Sequence, residues 1–248
     1  MIAGLLIVVF FNLVLPPDSV AARLLVDKSM VRSGLGEVVV VTRPLAVQTF
    51  MWIAFAMGIG EILLRVYATF RECEQLSFNY LAESPDVLLG SRELVPIYQR
   101  VQAAKGRCFL PTLIRRVILQ FQSSKSVDRA DSMLHSSLEL FSHEISLRFS
   151  FLKFLCWLLP SLGFLGTVIG IIAGLDVVAV EFMEKKGEIN LAAVTDALGV
   201  AFYTTWLALI LASILLFLVH ITEEWEEATL NRSAQYCLDH LINKLYEK

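Results

Sequence analysis

Two uncharged apolar runs, residues 154–175 and 197–219, dominate what this chain can fold into. A membrane-spanning helix takes about 20 apolar residues, and each run reaches that length alone. The loop at 176–190 is acid-rich, with Asp176, Glu181, Glu184 and Glu188 against Lys185 and Lys186. The pair reads as two spanning helices joined by a short turn on one side of a bilayer.

A third candidate span, residues 45–64, carries one charge, Glu61. A fourth, residues 1–15, is short and stops at Pro16-Pro17. It lacks the basic start of a secretory signal and reads as a first membrane helix, with a signal anchor as the alternative. Composition agrees: of 248 residues 56% are hydrophobic and only 18% charged, and mean hydropathy is +0.64. A net charge of −3 argues against a general nucleic-acid binder. Cys73, Cys108, Cys156 and Cys237 are scattered and suggest neither a disulfide framework nor a zinc site; Cys156, within an apolar run, reads as a packing residue.

The expected fold is all-α, a polytopic helical membrane protein with three to four transmembrane helices and a cytoplasmic helical region. Basic residues near span ends set orientation. Arg65 and Arg71 follow one span, and Arg148 and Lys153 precede the next. This places 65–150 in the cytoplasm and 176–190 outside. Four spans then leave both termini inside and 16–44 outside, although Arg23, Lys28, Arg32 and Arg43 run against that side. The domains are 1–64 (two helices with external loop 16–44), 65–148 (cytoplasmic helices), 149–220 (the uncharged helix pair) and 221–248 (cytoplasmic tail).

Residues 65–82 continue the preceding span as a helix until Ser84, Pro85, Asp86 and Gly90 break it. Ser91 is a cap for a helix to about Ala104, and 112–122 is helical. From Val127 no breaker occurs before Pro160, so one long helix enters the membrane. Leu134, Leu138, Phe141, Ile145 and Arg148 share one of its faces, mostly apolar, as bundle packing requires. The last helix continues past Val219 through Glu223, Glu224, Glu226 and Glu227.

The first uncharged run carries Gly163, Gly166, Gly170 and Gly174, with Thr167 among them. Steps of three and four return to one helix face. Glycine costs about 1 kcal/mol against alanine within a helix, so four on one face need a reason. The second run repeats the pattern with Ala197, Ala201, Thr205, Ala208 and Ala212, and Thr204 lies beside Thr205. Phe202, Trp206, Ile210, Ile214 and Phe217 take the opposite side, suited to lipid or bulkier neighbours. Two readings stay open. The small faces pack helices tightly, with each hydroxyl bonded to its own helix, or they line a pore or socket whose hydroxyls serve an ion or another helix.

Glu61 is an acid within a span, which suggests function; Arg65, four residues on, offers a snorkelling partner instead. Asp196 opens the last span, where an acid suits the helix dipole or a proton entry. Pro160 removes one helix hydrogen bond and is a hinge or a packing bend. The four histidines lack metal-ligand spacing. No phosphate loop, nucleophile elbow or carboxylate pair is present, so neither metal, cofactor nor enzymatic activity is expected.

The string G-F-L-G-T-V-I-G-I at 163–171 resembles the G-L-F-G-T-V-W-G-I stretch of TolQ and ExbB proteins. A-F-Y-T-T-W-L-A-L at 201–209 resembles the A-L-x-x-T-x-x-G-L stretch of their last span, with Thr205 on the family threonine. By these motifs and their order the chain is similar to the MotA/TolQ/ExbB proton-channel family, over about residues 130–220. The resemblance implies a ring, usually of five subunits, around two copies of a one-span MotB-, TolR- or ExbD-type partner in the bacterial inner membrane. It implies that the partner brings a membrane aspartate, and that proton passage drives rotation or energy transfer. Thr167, Thr205 and Thr204, with Gly163, Gly166, Gly170, Ala201 and Ala208, then face the ion pathway or partner helix. Asp196 and Glu61 become accessory acids. The match has departures: Val200 stands where ExbB and TolQ carry a glutamate, and Ala208 where they carry a glycine. A passive membrane scaffold and a self-contained channel remain as alternatives; the lack of any acid in the two motif spans counts against the channel.

Overall fold

The computed structural model describes residues 28–32, 38–42, 47–76, 80–81, 94–103, 108–184 and 191–245. Helices dominate them: α1 (Val47–Leu76), α2 (Leu94–Ala103), α3 (Phe109–Ser124), α4 (Val127–Glu184) and α5 (Leu191–His240), followed by a 3-10 turn at Ile242–Lys244. Among the described residues, α1, α4 and α5 are long and apolar enough to cross a membrane. The expected first span, 1–15, lies outside the described residues, as do the breakers at 84–90 and the cap at Ser91.

One feature departs from an all-helical reading. Strands β1 (Lys28–Arg32) and β2 (Val38–Thr42) pair antiparallel, with Lys28 opposite Thr42 and Arg32 opposite Val38. They lie in the segment 16–44 that the sequence assigns to an external loop. The local signal is the run VVVVT after Gly34 and Gly36: β-branched residues favour a pleated strand and glycines favour a turn.

The length of α4, 58 residues, follows from its composition. Between Val127 and Leu159 neither glycine nor proline interrupts it. Asp128 in the first turn suits the positive end of the helix dipole. The helix continues across Pro160, which lies inside α4. A span takes about 20 residues, so α4 and α5 both outrun a bilayer. Their charged segments, and those of α1 from Arg65 on, extend beyond the apolar stretches.

The chain forms two compact units. The first gathers Met1–Ile62 and Phe151–Val219. Its buried side chains include Met51 and Ala54 of α1, Leu152, Leu155 and Leu159 of α4, and Leu207, Leu211 and Leu215 of α5. Gly58 makes room for Leu215: a methyl group there would meet its Cδ1 at 2.7 Å. Phe164 on α4 and Phe202, Trp206 and Phe217 on α5 point outward, as expected of groups that face lipid or another subunit.

The second unit gathers Leu63–Ser150 and His220–Lys248. Here α3 buries Leu110, Leu113, Ile114, Val117, Ile118 and Phe121, the three- and four-residue spacing of an amphipathic helix. Leu94, Ile97 and Val101 of α2 and Leu134, Ile145 and Phe149 of α4 are buried with them. Phe141 takes Phe109 at 5.2 Å and the Arg116 guanidinium at 5.1 Å. α3 ends at Lys125, whose left-handed backbone (φ 53°) lets its N–H donate to the Phe121 carbonyl at 2.7 Å.

A charged cluster ties α1, α4 and α5 within this unit. Arg148 donates to Glu144 at 2.5 Å and to Glu226 at 3.2 Å. Its carbonyl accepts from Arg65 at 2.7 Å, and the Arg65 guanidinium lies 4.8 Å above the Phe149 ring. Glu226 is 5% exposed. Nearby, Thr229 meets Cys73 at 3.5 Å and Ser233 donates to the Thr229 carbonyl at 2.9 Å.

Candidate functional site

The small-residue faces of α4 and α5 meet within the first unit. A methyl placed on Gly163 would lie 2.5 Å from the Ala208 Cβ and 3.3 Å from the Thr205 Cα. One on Gly166 would lie 2.6 Å from the Thr204 hydroxyl oxygen. One on Gly170 would lie 2.6 Å from the Ala201 Cβ and 2.9 Å from its Cα. At each position the neighbour occupies the space a side chain would need, so the two backbones approach as only glycine allows.

This contact accounts for most of the residues that the sequence assigns to a partner-facing wall. Ala201 and Ala208 are fully buried, Thr204 is 5% exposed, and Gly163 and Gly166 are buried too. They lie against the neighbouring helix of their own chain. Gly170 is half-buried. Thr204 turns its hydroxyl back to the Ala201 carbonyl at 2.7 Å.

Thr167 and Thr205 are arranged differently. The Thr167 hydroxyl reaches the Gly163 carbonyl one turn back at 3.0 Å. The Thr205 hydroxyl crosses from α5 to the same carbonyl, also at 3.0 Å. The two hydroxyls also meet each other directly. Both residues are half-buried.

Two hydroxyl hydrogens cannot serve three contacts at once. Either both donate to Gly163, or one donates to the carbonyl while the other donates to its fellow threonine. The second arrangement runs equally well from Thr167 to Thr205 or in reverse. In each arrangement the pair offers lone pairs to a third group, and it offers a donor when one of these internal bonds is given up, without either hydroxyl ionising.

The other expected site residues lie elsewhere. Pro160 is half-buried, three residues before Gly163 on α4, and Ser161 bonds the Trp157 carbonyl at 3.0 Å beside it. Glu61 is half-buried on α1. Asp196 lies in the second turn of α5, and its side chain is outside the described residues. The charged cluster around Arg148 and Glu226 has no counterpart in the sequence reading, where Arg148 is a basic residue ahead of a span and a member of a helix face. Its only signal was the position of these charges just beyond the apolar runs.

Comparison with known proteins gives one result. The family model of the MotA/TolQ/ExbB proton channel family matches residues 105–232, which contain α3, the apolar parts of α4 and α5, and both threonines. No curated protein and no solved structure matches the chain. With more than half its length matched, and with three helices among the described residues long and apolar enough to cross a membrane, the chain is a membrane protein belonging to the MotA/TolQ/ExbB proton channel family.

Proposed function

We propose that this chain is the ring-forming subunit of an ion-motive-force-driven motor or stator complex. In this reading five copies surround two one-span partners of the MotB, TolR or ExbD type in a bacterial inner membrane, with both termini in the cytoplasm. Each partner supplies the membrane aspartate that takes and releases the proton.

The observation that carries the reading is the threonine pair on the Gly163 carbonyl. A carboxylate in lipid is costly unless polar groups or water reach it. A half-buried hydroxyl pair that reverses its hydrogen-bond direction suits both states of such an acid. It accepts from the protonated acid, and it donates to the carboxylate by releasing one of its internal hydrogen bonds. Thr167 and Thr205 are then coordinators, and the proton carrier belongs to the partner chain. The glycine and alanine faces hold the pair in place. Pro160 acts as a hinge below it, and Asp196 and Glu61 act as accessory acids along the path.

The tight fit of Gly163, Gly166 and Gly170 onto α5 also favours a second reading, a passive scaffold whose small faces only pack. Native mass spectrometry on the complex extracted from its host's membranes separates the two. A ring of this chain with a substoichiometric one-span partner is expected. A homo-oligomer alone, from membranes in which the partner gene is expressed, would leave packing as the role of the small faces.

A further inference from the structure

We propose that Glu72 makes the docking of the first turn of α3 onto α1 respond to pH, closing as Glu72 takes up a proton and loosening as Glu72 ionises. This goes beyond the reading above and does not depend on it.

The first N–H groups of a helix have no partner within it. α3 starts at Cys108, whose side chain makes no capping bond. Glu72 of α1 supplies a partner instead: its Oε2 accepts from the Phe109 N–H at 2.8 Å. Glu72 itself is half-buried, and the residues at the α3 head are largely closed to water, with Cys108 at 8%, Phe109 at 4% and Leu110 at 1% exposure.

Charges face Glu72 from every side. From α5 comes Glu226, buried, with its Oε2 lacking a hydrogen-bond partner. From α4 comes Arg148, already bonded to Glu144 and Glu226. At the head of α3 sits the Cys108 thiol, with Arg71 and Tyr80 near it. Burial pushes the Glu72 carboxyl up to about 7; the Phe109 N–H opposes the rise, Glu226 adds to it, and Arg148 and Cys108 oppose it.

The direction of the response follows from linkage. An ordinary capping carboxylate has a lowered pKa, so its helix loosens in acid. Glu72 is the reverse case. With α3 detached and the carboxyl in water, its value returns to 4.5; docked, it is about 7. The docked state therefore binds the proton better, and it loses stability as pH rises from 4.5 through 7. Between pH 6 and 8 the opening equilibrium rises by at most about tenfold, and it levels off above.

Hydrogen exchange on the purified full-length complex tests this, read on peptides from 108–118 and corrected for the intrinsic pH dependence of exchange. In the wild type, protection of the α3 head falls several-fold, up to about tenfold, from pH 6 to pH 8. Glu72→Gln abolishes the slope. Protection that is level or rises with pH, or a slope that survives in Glu72→Gln, overturns the proposal. Should Glu72→Gln fail to assemble, Glu226→Gln decides. Losing that negative charge, and freeing Arg148, moves the midpoint to lower pH; an unmoved or raised midpoint overturns it. Exchange is read without ion flux, so this outcome is separate from that of the conduction mechanism.

Discussion

Thr167 on α4 and Thr205 on α5 bring their hydroxyls together over one acceptor, the Gly163 carbonyl, which lies 3.0 Å from each. The geometry depends on glycine at 163. The carbonyl is reachable from α5 because no side chain at that position keeps the helices apart. The helix fit and the polar pair are thus one structure, and they can be tested separately.

Thr205→Val keeps the shape and removes the hydroxyl. A neutral hydrogen bond contributes about 1 kcal/mol, so the protein is expected to fold with little change in stability and, on the proposed function, to assemble as the wild type does. A hydrogen bond to a charged group contributes about 1.5–3 kcal/mol, so proton flux with the partner present falls on the order of tenfold or more. Thr205→Ser restores it. Flux in reconstituted vesicles is the readout. Undiminished flux in the valine variant would remove the hydroxyl from the mechanism.

Gly163→Ala places a methyl 2.5 Å from the Ala208 Cβ. Overpacking of this kind costs about 1–3 kcal/mol. Ala208→Gly removes the opposing methyl, so the double variant recovers most of the loss. A thermal-unfolding cycle in detergent measures the coupling, and additive single losses would show that the two positions do not touch.

Arg148→Ala leaves Glu226 buried without the cation it is hydrogen-bonded to, with Arg65 as the remaining positive charge near it. Removing one member of a buried pair costs about 3–5 kcal/mol. Arg148 is half-exposed, so water offsets part of this and the expected loss is about 2–3 kcal/mol. Replacing Arg148 and Glu226 together with Met and Leu recovers stability, because the buried carboxylate and the cation bonded to it are removed together. The unfolding temperatures of the three variants check the order.

Lys125 holds a left-handed backbone at the end of α3. A side chain there costs about 1 kcal/mol that glycine does not. Lys125→Gly is expected to raise the stability of the second unit by roughly 0.5–1 kcal/mol, against glycine's greater chain entropy. A lowered unfolding temperature would mean that the lysine makes contacts outweighing the strain.

Much of the helical layout was legible in the chain because helix length follows local composition. The absence of breakers from Val127 to Leu159 is a local property, and α4 starts at Val127 as that absence requires. The continuation of the last helix through Glu223–Glu227 is likewise local, since glutamate is a good helix former. The β1–β2 pair escaped the sequence reading because the order of the spans made 16–44 a loop between two of them, although VVVVT has strong strand character.

The sequence alone determined that this is a helical membrane chain, that Gly163, Gly166, Gly170 and Thr167 share one helix face, and that Ala201, Thr205 and Ala208 share another. Periodicity carries that information, because a helix repeats every 3.6 residues wherever it packs. What each face meets was decided only by the tertiary structure. Periodicity cannot tell a wall for a partner helix from a seam within the chain; the approach of α4 to α5 made it a seam and left Thr167 and Thr205 half-exposed on the Gly163 carbonyl. The meeting of Glu72 with the head of α3 lies equally beyond the sequence. The two residues in that bond, Glu72 and Phe109, are 37 positions apart, and no local pattern links a carboxylate on one helix to an N–H at the start of another.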